Sequence, residues 1–195
     1  TEMQKPTYST QKEVFCFYFM FLDILLGAFW AFLTSVVFGV PLTPLWIVAG
    51  IVFAVLPDID FWVEYLRRGT VGGKTLGDHR VLTHIPFLFV IPAILLFLYA
   101  GPAWGTLFVL GVYGHFVHDA TGMGYGYRLF YPLSPFFYKF FSDAHGNISY
   151  TREHFMVRWT RAEVEALHQQ HGNDQWLQAD IRYHLSHPWK LLREL

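Results

Sequence analysis

The chain consists of four apolar stretches separated by polar segments of very different length. The stretches cover residues 14–40, 44–56, 85–100 and 104–116. A helix needs about 20 residues to cross a hydrocarbon core of about 30 Å, so the first stretch is long enough and the others are short. A short stretch can still span the membrane if polar residues of a buried site extend the helix at its ends, or if the bilayer thins locally around it. The pattern predicts an all-α, polytopic membrane protein with about four transmembrane helices.

The distribution of positive charge predicts how these helices are oriented. Residues 39–43 and 101–103, which connect the first to the second stretch and the third to the fourth, contain no charged side chain. All 14 Lys and Arg residues lie in the remaining polar segments. Positively charged segments stay on the cytoplasmic side, so we expect the N-terminus, the loop 58–84 and the C-terminal tail to face the cytoplasm.

The last part of the chain is more polar than the rest. We divide the chain into a transmembrane domain, residues 1–135, and a cytoplasmic, amphipathic helical tail, residues 136–195. Within the tail, Thr160-Arg161-Ala162-Glu163 is typical of a helix N-terminus, with Glu at the third helical position. The apolar residues of the tail can pack on the membrane domain, lie along its surface or recruit a protein partner.

Composition narrows the function classes. The 195 residues are 53% hydrophobic and only 15% charged, and the net charge of -1 provides no basic field, so we expect no nucleic-acid partner. Cys16 is the only cysteine, which excludes a disulfide within the chain and a thiolate-rich zinc or iron–sulfur centre. We expect the first apolar stretch to be a retained span, because no small-residue cleavage pattern follows it. Any bound metal must have nitrogen and oxygen ligands.

Ionisable residues are concentrated where the apolar stretches meet the cytoplasmic segments. The second stretch ends in Leu56-Pro57-Asp58-Ile59-Asp60, the third is preceded by the segment 77–84, and the fourth ends in His115-Phe116-Val117-His118-Asp119. With the predicted topology, all three motifs reach the same membrane face. Single polar residues at a span end are often only interfacial, but several meeting at membrane depth favour a functional site, because ionisable groups there are costly.

The residue types and spacing favour a divalent metal. His115 and Asp119 lie one helical turn apart on one face, whereas Asp58 and Asp60 reach one site only if the chain leaves helical geometry there. Nitrogen and carboxylate ligands suit zinc, manganese or iron(II). We predict one or two ions, zinc before the others, which lower the pKa of a bound water to near 7 and polarise a phosphoryl oxygen. The candidate ligands are Asp58, Asp60, His79, His84, His115 and Asp119.

Asp23 is an ionisable residue inside the first apolar stretch. Because that stretch is longer than a span requires, the membrane crossing can begin near Asp23, which then lies at the cytoplasmic boundary facing the cluster. Two interpretations stay open: Asp23 is a further metal ligand, or it is a hydrogen-bonded polar residue between helices.

The motifs resemble those of the YdjM-like family of bacterial membrane-bound metal-dependent hydrolases. The resemblance covers residues 23–134 and includes the Pro57-Asp58 motif, His79-Arg80 with Thr83-His84, the His115 and Asp119 pair, and the segment 126–134. It implies a multi-pass protein of the bacterial inner membrane. It also implies hydrolysis of a phosphate ester or lipid head group, since the family is distantly similar to zinc-dependent phospholipase C proteins. In the family a His often stands four residues before the Gly of the first span, where this chain has Asp23.

Two functions follow from these patterns. In the first, a metal-bound hydroxide attacks a phosphoester of a lipid-borne or phosphorylated substrate, Arg80 stabilises the phosphate charge, and Asp78 or His118 carries the proton. In the second, the cluster is a structural metal site in a protein that regulates or docks a cytoplasmic partner, and the protein fills every coordination position. Ion or proton transport ranks last, because the third and fourth stretches carry almost no ionisable residue along their length.

Overall fold

The computed structural model describes residues 10–69, 80–122, 124–144, 146 and 149–171, and the side chains within them except those of residues 10–21 and 171. Helices dominate this part of the chain. They are α1 (Thr10–Phe38), α2 (Pro44–Val55), α3 (Ile59–Arg68), α4 (Val90–Tyr99), α5 (Pro102–Thr121) and α6 (Arg161–His171). Short 3-10 turns at Leu56–Asp58 and Pro86–Phe89 precede α3 and α4, and a third covers Arg152–His154.

Helices α1 and α2 cross at a pair of glycines. A Cβ atom added to Gly27 would lie 2.6 Å from the carbonyl oxygen of Gly50, and one added to Gly50 would collide with the backbone of Gly27. Small residues let helix backbones approach closely, as is common where helices pack in membranes. Trp46 strengthens the contact, since its Nε1 donates to the carbonyl of Ala31 at 3.0 Å.

Helix α5 packs against both of these helices. Gly111 lies against the backbone of α2 at Phe53, and Gly114 lies against the indole of Trp30 on α1. At one end of the three helices, Ala31, Trp46 and Leu107 form a buried cluster. Val40 and Ala103, from the two uncharged connections, pack against that cluster. Both short connections therefore lie at the same end of the helices.

Helix α4 packs on α5 and completes the group of four apolar helices. Phe89, Ala93, Phe108 and Phe116 belong to one buried core cluster. Gly105 accommodates the ring of Phe97, because a Cβ there would lie 2.6 Å from ring atoms. These contacts fix the loop that precedes α4 beside the end of α5.

The outward faces of these helices are apolar. Within the described chain, one helical segment, Pro44–Arg68, is long and apolar enough to cross a bilayer, with 25 residues. Leu22–Phe38 and Pro86–Tyr99 are shorter apolar helices. Their exposed side chains include Leu25, Phe29, Phe32, Leu45, Val48, Ile91, Leu95 and Leu98. Apolar patches of this extent on a protein surface mark contact with a partner or a membrane.

The segment after α5 contains a small sheet, so the all-α prediction was wrong for this part of the chain. Strands β1 (Phe137–Phe140) and β2 (Met156–Trp159) pair antiparallel, with Phe137 opposite Trp159. Aromatic residues run through β1 and its flanks, and such residues favour strands. The predicted helix start was confirmed: the hydroxyl of Thr160 accepts from the backbone N–H of Glu163, whose carboxylate accepts from the N–H of Thr160. Residues 172–195 of the predicted tail lie outside the described residues.

Candidate metal centre

Four predicted ligands meet at the end of the helices opposite the short connections. Ligand atoms of Asp58, His84, His115 and Asp119 all lie within 4.8 Å of one another. Asp58 ends the 3-10 turn after α2, His84 precedes α4, and the other two lie one turn apart on α5. The 3-10 turn is the departure from α-helical geometry that the sequence required for Asp58 to reach the site. A buried Asp and His cluster that can bind a metal ion is therefore present.

Five of the six distances within this cluster are close to the edge of a tetrahedron around one ion. Nε2 of His84 lies 3.3 Å from Nε2 of His115, 3.0 Å from Oδ2 of Asp119 and 3.4 Å from Oδ1 of Asp58. Nε2 of His115 lies 3.5 Å from each of the same two carboxylate oxygens. Four ligands at about 2.0–2.1 Å from a zinc ion are about 3.3 Å apart. The donors therefore fit an ion of this size.

One buried oxygen in the cluster supports the same conclusion. Oδ2 of Asp119 is buried and has no hydrogen-bond partner within the described part of the chain. A carboxylate oxygen without a partner is costly to bury, and buried charges are usually paired or bound to metals. This oxygen is the one that faces the Nε2 atoms of both His residues, so a cation at the centre would satisfy it.

A carboxylate lies behind His84. Nδ1 of this ring lies 3.0 Å from Oδ2 of Asp60, on the side opposite the cluster. When Nδ1 carries the proton and donates to Asp60, Nε2 presents its lone pair to the cluster, as in carboxylate–histidine–metal arrangements. Asp60, predicted as a ligand, is thus placed behind a ligand and outside the group of four.

Thr83 joins the loop before α4 to the end of α2. Its hydroxyl donates to the carbonyl of Pro57, and its backbone N–H donates to Oδ2 of Asp60 at 3.2 Å. The N–H of Asp60 donates back to the hydroxyl of Thr83 at 3.3 Å. These bonds fix the positions of Asp58 and His84 relative to each other. The sequence analysis assigned Thr83 no role; its position directly before His84 was the only available signal.

A second carboxylate lies behind His115. Oδ1 of Asp23, on α1, lies 3.3 Å from Nδ1 of His115 and 3.3 Å from Nδ1 of His118. Asp23 is buried between α1 and α5, one helical turn before the crossing point at Gly27. This placement favours the hydrogen-bonded interpretation of Asp23, because its Oδ1 forms a hydrogen bond with Nδ1 of His118 and also lies close to the ring of His115.

Arg80 contacts the fourth ligand. Its Nη2 donates to Oδ1 of Asp119 at 3.2 Å, which leaves Oδ2 facing the cluster. The backbone of Arg80 has a φ of +62°, a left-handed conformation that is unfavourable for a side chain of this size. Arg80 was predicted to stabilise phosphate charge; the structure places its guanidinium on Asp119, one of the four clustered residues.

Two residues beyond α5, Tyr127 and Lys139, are buried. The ring of Tyr127 lies 6.2 Å from that of His84, and its hydroxyl donates to the carbonyl of Phe116 at 2.7 Å. Burial raises the pKa of the Tyr127 hydroxyl, which keeps it a donor. Lys139 on β1 donates to the carbonyls of Gly124 and Gly146, at 2.5 and 2.9 Å. The sequence analysis assigned neither residue a role, because both contacts depend on the hairpin that it did not predict.

Comparison with known proteins identifies the family. The family model described as YdjM inner membrane protein matches residues 21–173. The chain belongs to this family. The match extends beyond the resemblance found in the motifs and includes the β1–β2 hairpin and α6. No curated protein and no solved structure matches the chain.

The remaining predicted site residues divide into two groups. Asp78 and His79 lie outside the described residues. His118 lies beside Asp23 and is not one of the four clustered residues. Among the four clustered residues, the side chain of Asp58 is 35% exposed, whereas those of the two His residues are almost fully buried. Asp58 is therefore the most exposed of the four clustered residues.

Proposed function

We propose that this chain is a membrane-bound, metal-dependent hydrolase that acts on a phosphate ester or lipid head group through a metal-activated water. The observation that carries the proposal is the cluster of two His and two Asp residues, with supporting carboxylates behind both rings and one accessible ligand, Asp58. A catalytic centre needs such an accessible side, because water and substrate must reach the ion.

The proposal places the centre at the cytoplasmic face of the bacterial inner membrane. Four spans, formed by α1, α2, α4 and α5, bring both termini and the centre to one side. The outward apolar faces of these helices and the family of inner membrane proteins support this arrangement. The positive-inside rule assigns that side to the cytoplasm. A lipid-borne substrate suits a site at this depth.

Each residue has a role in this chemistry. His84, His115, Asp58 and Asp119 would hold the ion, with zinc before manganese or iron(II), and His79 is a candidate for a second ion. The ion supplies a water of lowered pKa and a polarised phosphoryl oxygen. Asp60 and Asp23 orient the two rings, and Arg80 orients Asp119 while adding positive charge near a bound phosphate. His118 or Asp78 accepts the proton.

A second function has a specific observation in its favour. The cluster offers four protein donors, the number that completes the tetrahedral shell typical of structural zinc sites. Under this alternative, the chain is a metal-binding membrane protein that regulates or docks a cytoplasmic partner through its tail. This alternative requires that Asp58 stay bound to the ion, whereas hydrolysis requires room for a water molecule beside the ion.

Elemental analysis of the detergent-purified protein tests the proposal together with an ester-release assay. We expect about one equivalent of zinc in the wild type. The His115→Ala and Asp119→Ala variants should each lose most of it, since a remaining three-donor site binds far more weakly. The wild type should also release product from a generic phosphodiester or a phospholipid, and both variants should lose this activity.

His154→Ala is the matched control, because His154 bonds Ser149 in the hairpin and lies outside the cluster. It should retain both metal and activity. Unchanged metal in His115→Ala and Asp119→Ala would refute the site. Metal loss in those variants, without hydrolysis of any ester by the wild type, would favour the non-catalytic function.

A further inference from the structure

Helix α3 has ionisable residues on its inward face and apolar residues on its outward face. The carboxylates of Asp60 and Glu64 are completely buried. Ile59, Trp62 and Leu66 point outward and are 48%, 56% and 81% exposed. A helix that lies between a protein core and water has the reverse pattern, with its apolar stripe inside and its charged residues outside. The pattern of α3 is expected where the surroundings of the protein are apolar.

Bonds within the protein fix the orientation of α3. Oδ2 of Asp60 accepts from the backbone N–H of Thr83 and lies 3.0 Å from Nδ1 of His84. Glu64 pairs with Arg68 one helical turn later. Because both carboxylates are held on the inward side, the apolar residues of α3 are directed away from the protein.

The apolar face of α3 continues the apolar face of α2. Leu45, Val48 and Val52 on α2 are also exposed. They follow one another, and are followed by Ile59, at intervals of three, four and seven residues, so the four side chains lie along one side of a helix. Helix α2, the 3-10 turn and α3 together form the one segment, Pro44–Arg68, that is long and apolar enough to cross a bilayer within the described chain.

The length of α2 shows why this segment needs α3 to cross a membrane. The 12 residues of α2 extend about 18 Å, and the 3-10 turn brings the length to about 24 Å. The hydrocarbon core is about 30 Å thick, so a span built on α2 must include at least about four residues of α3. The first cationic residues of the segment are Arg67 and Arg68, at the end of α3. Such residues reach the membrane surface from the end of a span.

Helix α5 has the same polarity at the level of the cluster. His115 and Asp119 are buried, whereas Val117, which lies between them in the sequence, is 65% exposed. Ionisable residues within a membrane face the interior of the protein, and apolar residues face the lipid. Two separate helices therefore present apolar side chains outward beside the clustered residues.

We propose that the hydrocarbon of the bilayer covers the outward face of α3, and that the cluster lies below the cytoplasmic surface of the membrane. With the boundary of the hydrocarbon between Trp62 and Leu66, Asp58 lies about 6–12 Å inside it along the helix axis. The occupant is the bilayer because the face belongs to the helical segment that can cross it, and because the chain belongs to a family of inner membrane proteins. The inference does not depend on catalysis by the cluster.

Collisions of nitroxide labels with oxygen and with a water-soluble nickel chelate measure this depth. In a Cys16→Ser background, the full chain carries a single labelled cysteine as Ile59→Cys, Val63→Cys or Leu66→Cys. It is reconstituted at low density in vesicles of phosphatidylethanolamine and phosphatidylglycerol. Oxygen is enriched in hydrocarbon and the chelate in water, so the ratio of the two collision rates increases with depth. We expect this ratio to decrease from Ile59→Cys through Val63→Cys to Leu66→Cys.

Two further positions calibrate the measurement. Tyr150→Cys is the matched control in water, because Tyr150 is 78% exposed in the hairpin, and Val48→Cys is the reference on the outward face of α2. The ratio of oxygen to nickel collisions at Ile59→Cys should be close to that at Val48→Cys and at least about fivefold above that at Tyr150→Cys. Circular dichroism reports folding of each variant, and Val63→Cys provides the comparison if Ile59→Cys does not fold.

Two results would refute the inference. Labels at Ile59→Cys and Val63→Cys that meet the nickel chelate as often as the label at Tyr150→Cys would place α3 in water. Labels there that meet neither reagent would show that a protein surface, such as a second copy of the chain, covers this face.

The depth of α3 and the proposed hydrolase are tested separately. The labels report their position in the bilayer without metal or substrate, so they still show the gradient of depth if the wild type binds no zinc and hydrolyses no ester. If α3 lies in water, the labels meet the chelate, while metal content and ester release remain as expected for the hydrolase.

Discussion

At the residue scale, each buried member of the cluster has a charged group behind it. Asp60 forms a hydrogen bond with His84, Arg80 forms one with Asp119, and Asp23 lies 3.3 Å from Nδ1 of His115. In metal sites such partners fix ring orientation and ligand basicity, and their removal costs about 10- to 100-fold in metal affinity. If the cluster binds an ion as proposed, the outer partners would affect how tightly the ion binds, whereas the four clustered residues would decide whether it binds.

Replacing Asp60 by Asn tests this division of roles. The substitution keeps the shape of the side chain but removes its negative charge, so the ring of His84 loses basicity and orientation. We expect zinc affinity to fall by about tenfold or more while saturating zinc still restores one equivalent. Competition with a chromophoric chelator in detergent measures both quantities.

Glu64→Gln provides the comparison for Asp60→Asn. Glu64 is a buried carboxylate on the same helix, one turn further along, and pairs with Arg68. Its loss removes a buried negative charge that does not belong to the four clustered residues, so zinc affinity should stay within about twofold of the wild type. An equal drop in affinity for both variants would mean that Asp60 acts only through general stability.

At the element scale, the lengths of the apolar stretches predicted most of the helices, but not α3, which lies in the predicted loop 58–84, and not the contacts between helices. The apolar stretches correspond to α1, α2, α4 and α5, and the spacing of His115 and Asp119 placed both on one face. The role of Asp60 was not predictable, because it depends on where Thr83 attaches the loop before α4. The sheet was missed for a related reason: strand pairing joins residues about 20 positions apart, which no local pattern records.

Strand β1 carries the buried amine of Lys139, and titration of this amine makes the free energy of unfolding depend on pH. Burial, and then the positive charge of Arg80, lower the pKa of Lys139 from 10.5 to about 8. Between these pH values the unfolded chain binds the proton and the folded chain does not, so the free energy of unfolding rises with pH. Between pH values of about 8 and 10.5, the free energy of unfolding increases by about 3 kcal/mol in total.

Thermal unfolding of the wild type and of Lys139→Met, followed by circular dichroism in detergent, measures this effect. Lys139→Met cannot titrate, so the free energy of unfolding of the wild type relative to the variant should increase as pH rises from about 8 to 10.5. Taking the difference removes the contribution of other groups that titrate in this range. A difference that does not change with pH would contradict the lowered pKa.

At the scale of the whole molecule, the candidate metal centre and the two short connections between helices lie at opposite ends. The metal centre and the hairpin lie at one end of the helices, whereas the two uncharged connections pack together at the other. In the proposed topology these ends face opposite sides of the membrane. The short connections then lie on the side away from the cytoplasm, where few positive charges are expected.

Single cysteines test this topology, because the chain has only Cys16 to remove. In a Cys16→Ser background, Leu42→Cys lies in the connection between α1 and α2, and Tyr150→Cys lies in the hairpin; both positions are exposed. A membrane-impermeant maleimide should label Leu42→Cys in spheroplasts and Tyr150→Cys only after lysis. Labelling of both from one side would overturn the four-span arrangement.

The positions of the four clustered residues along the chain determine when the cluster can form during synthesis. Asp58 and Asp119 are separated by about 60 residues, and closing a loop of that length in an unfolded chain costs about 4 kcal/mol. During synthesis the set is incomplete until α5 has emerged, so under the proposed function an ion would be bound only then. Such an ion would link the end of α2, made early, to the end of α5, made late, much as a disulfide would in a chain that has only one cysteine.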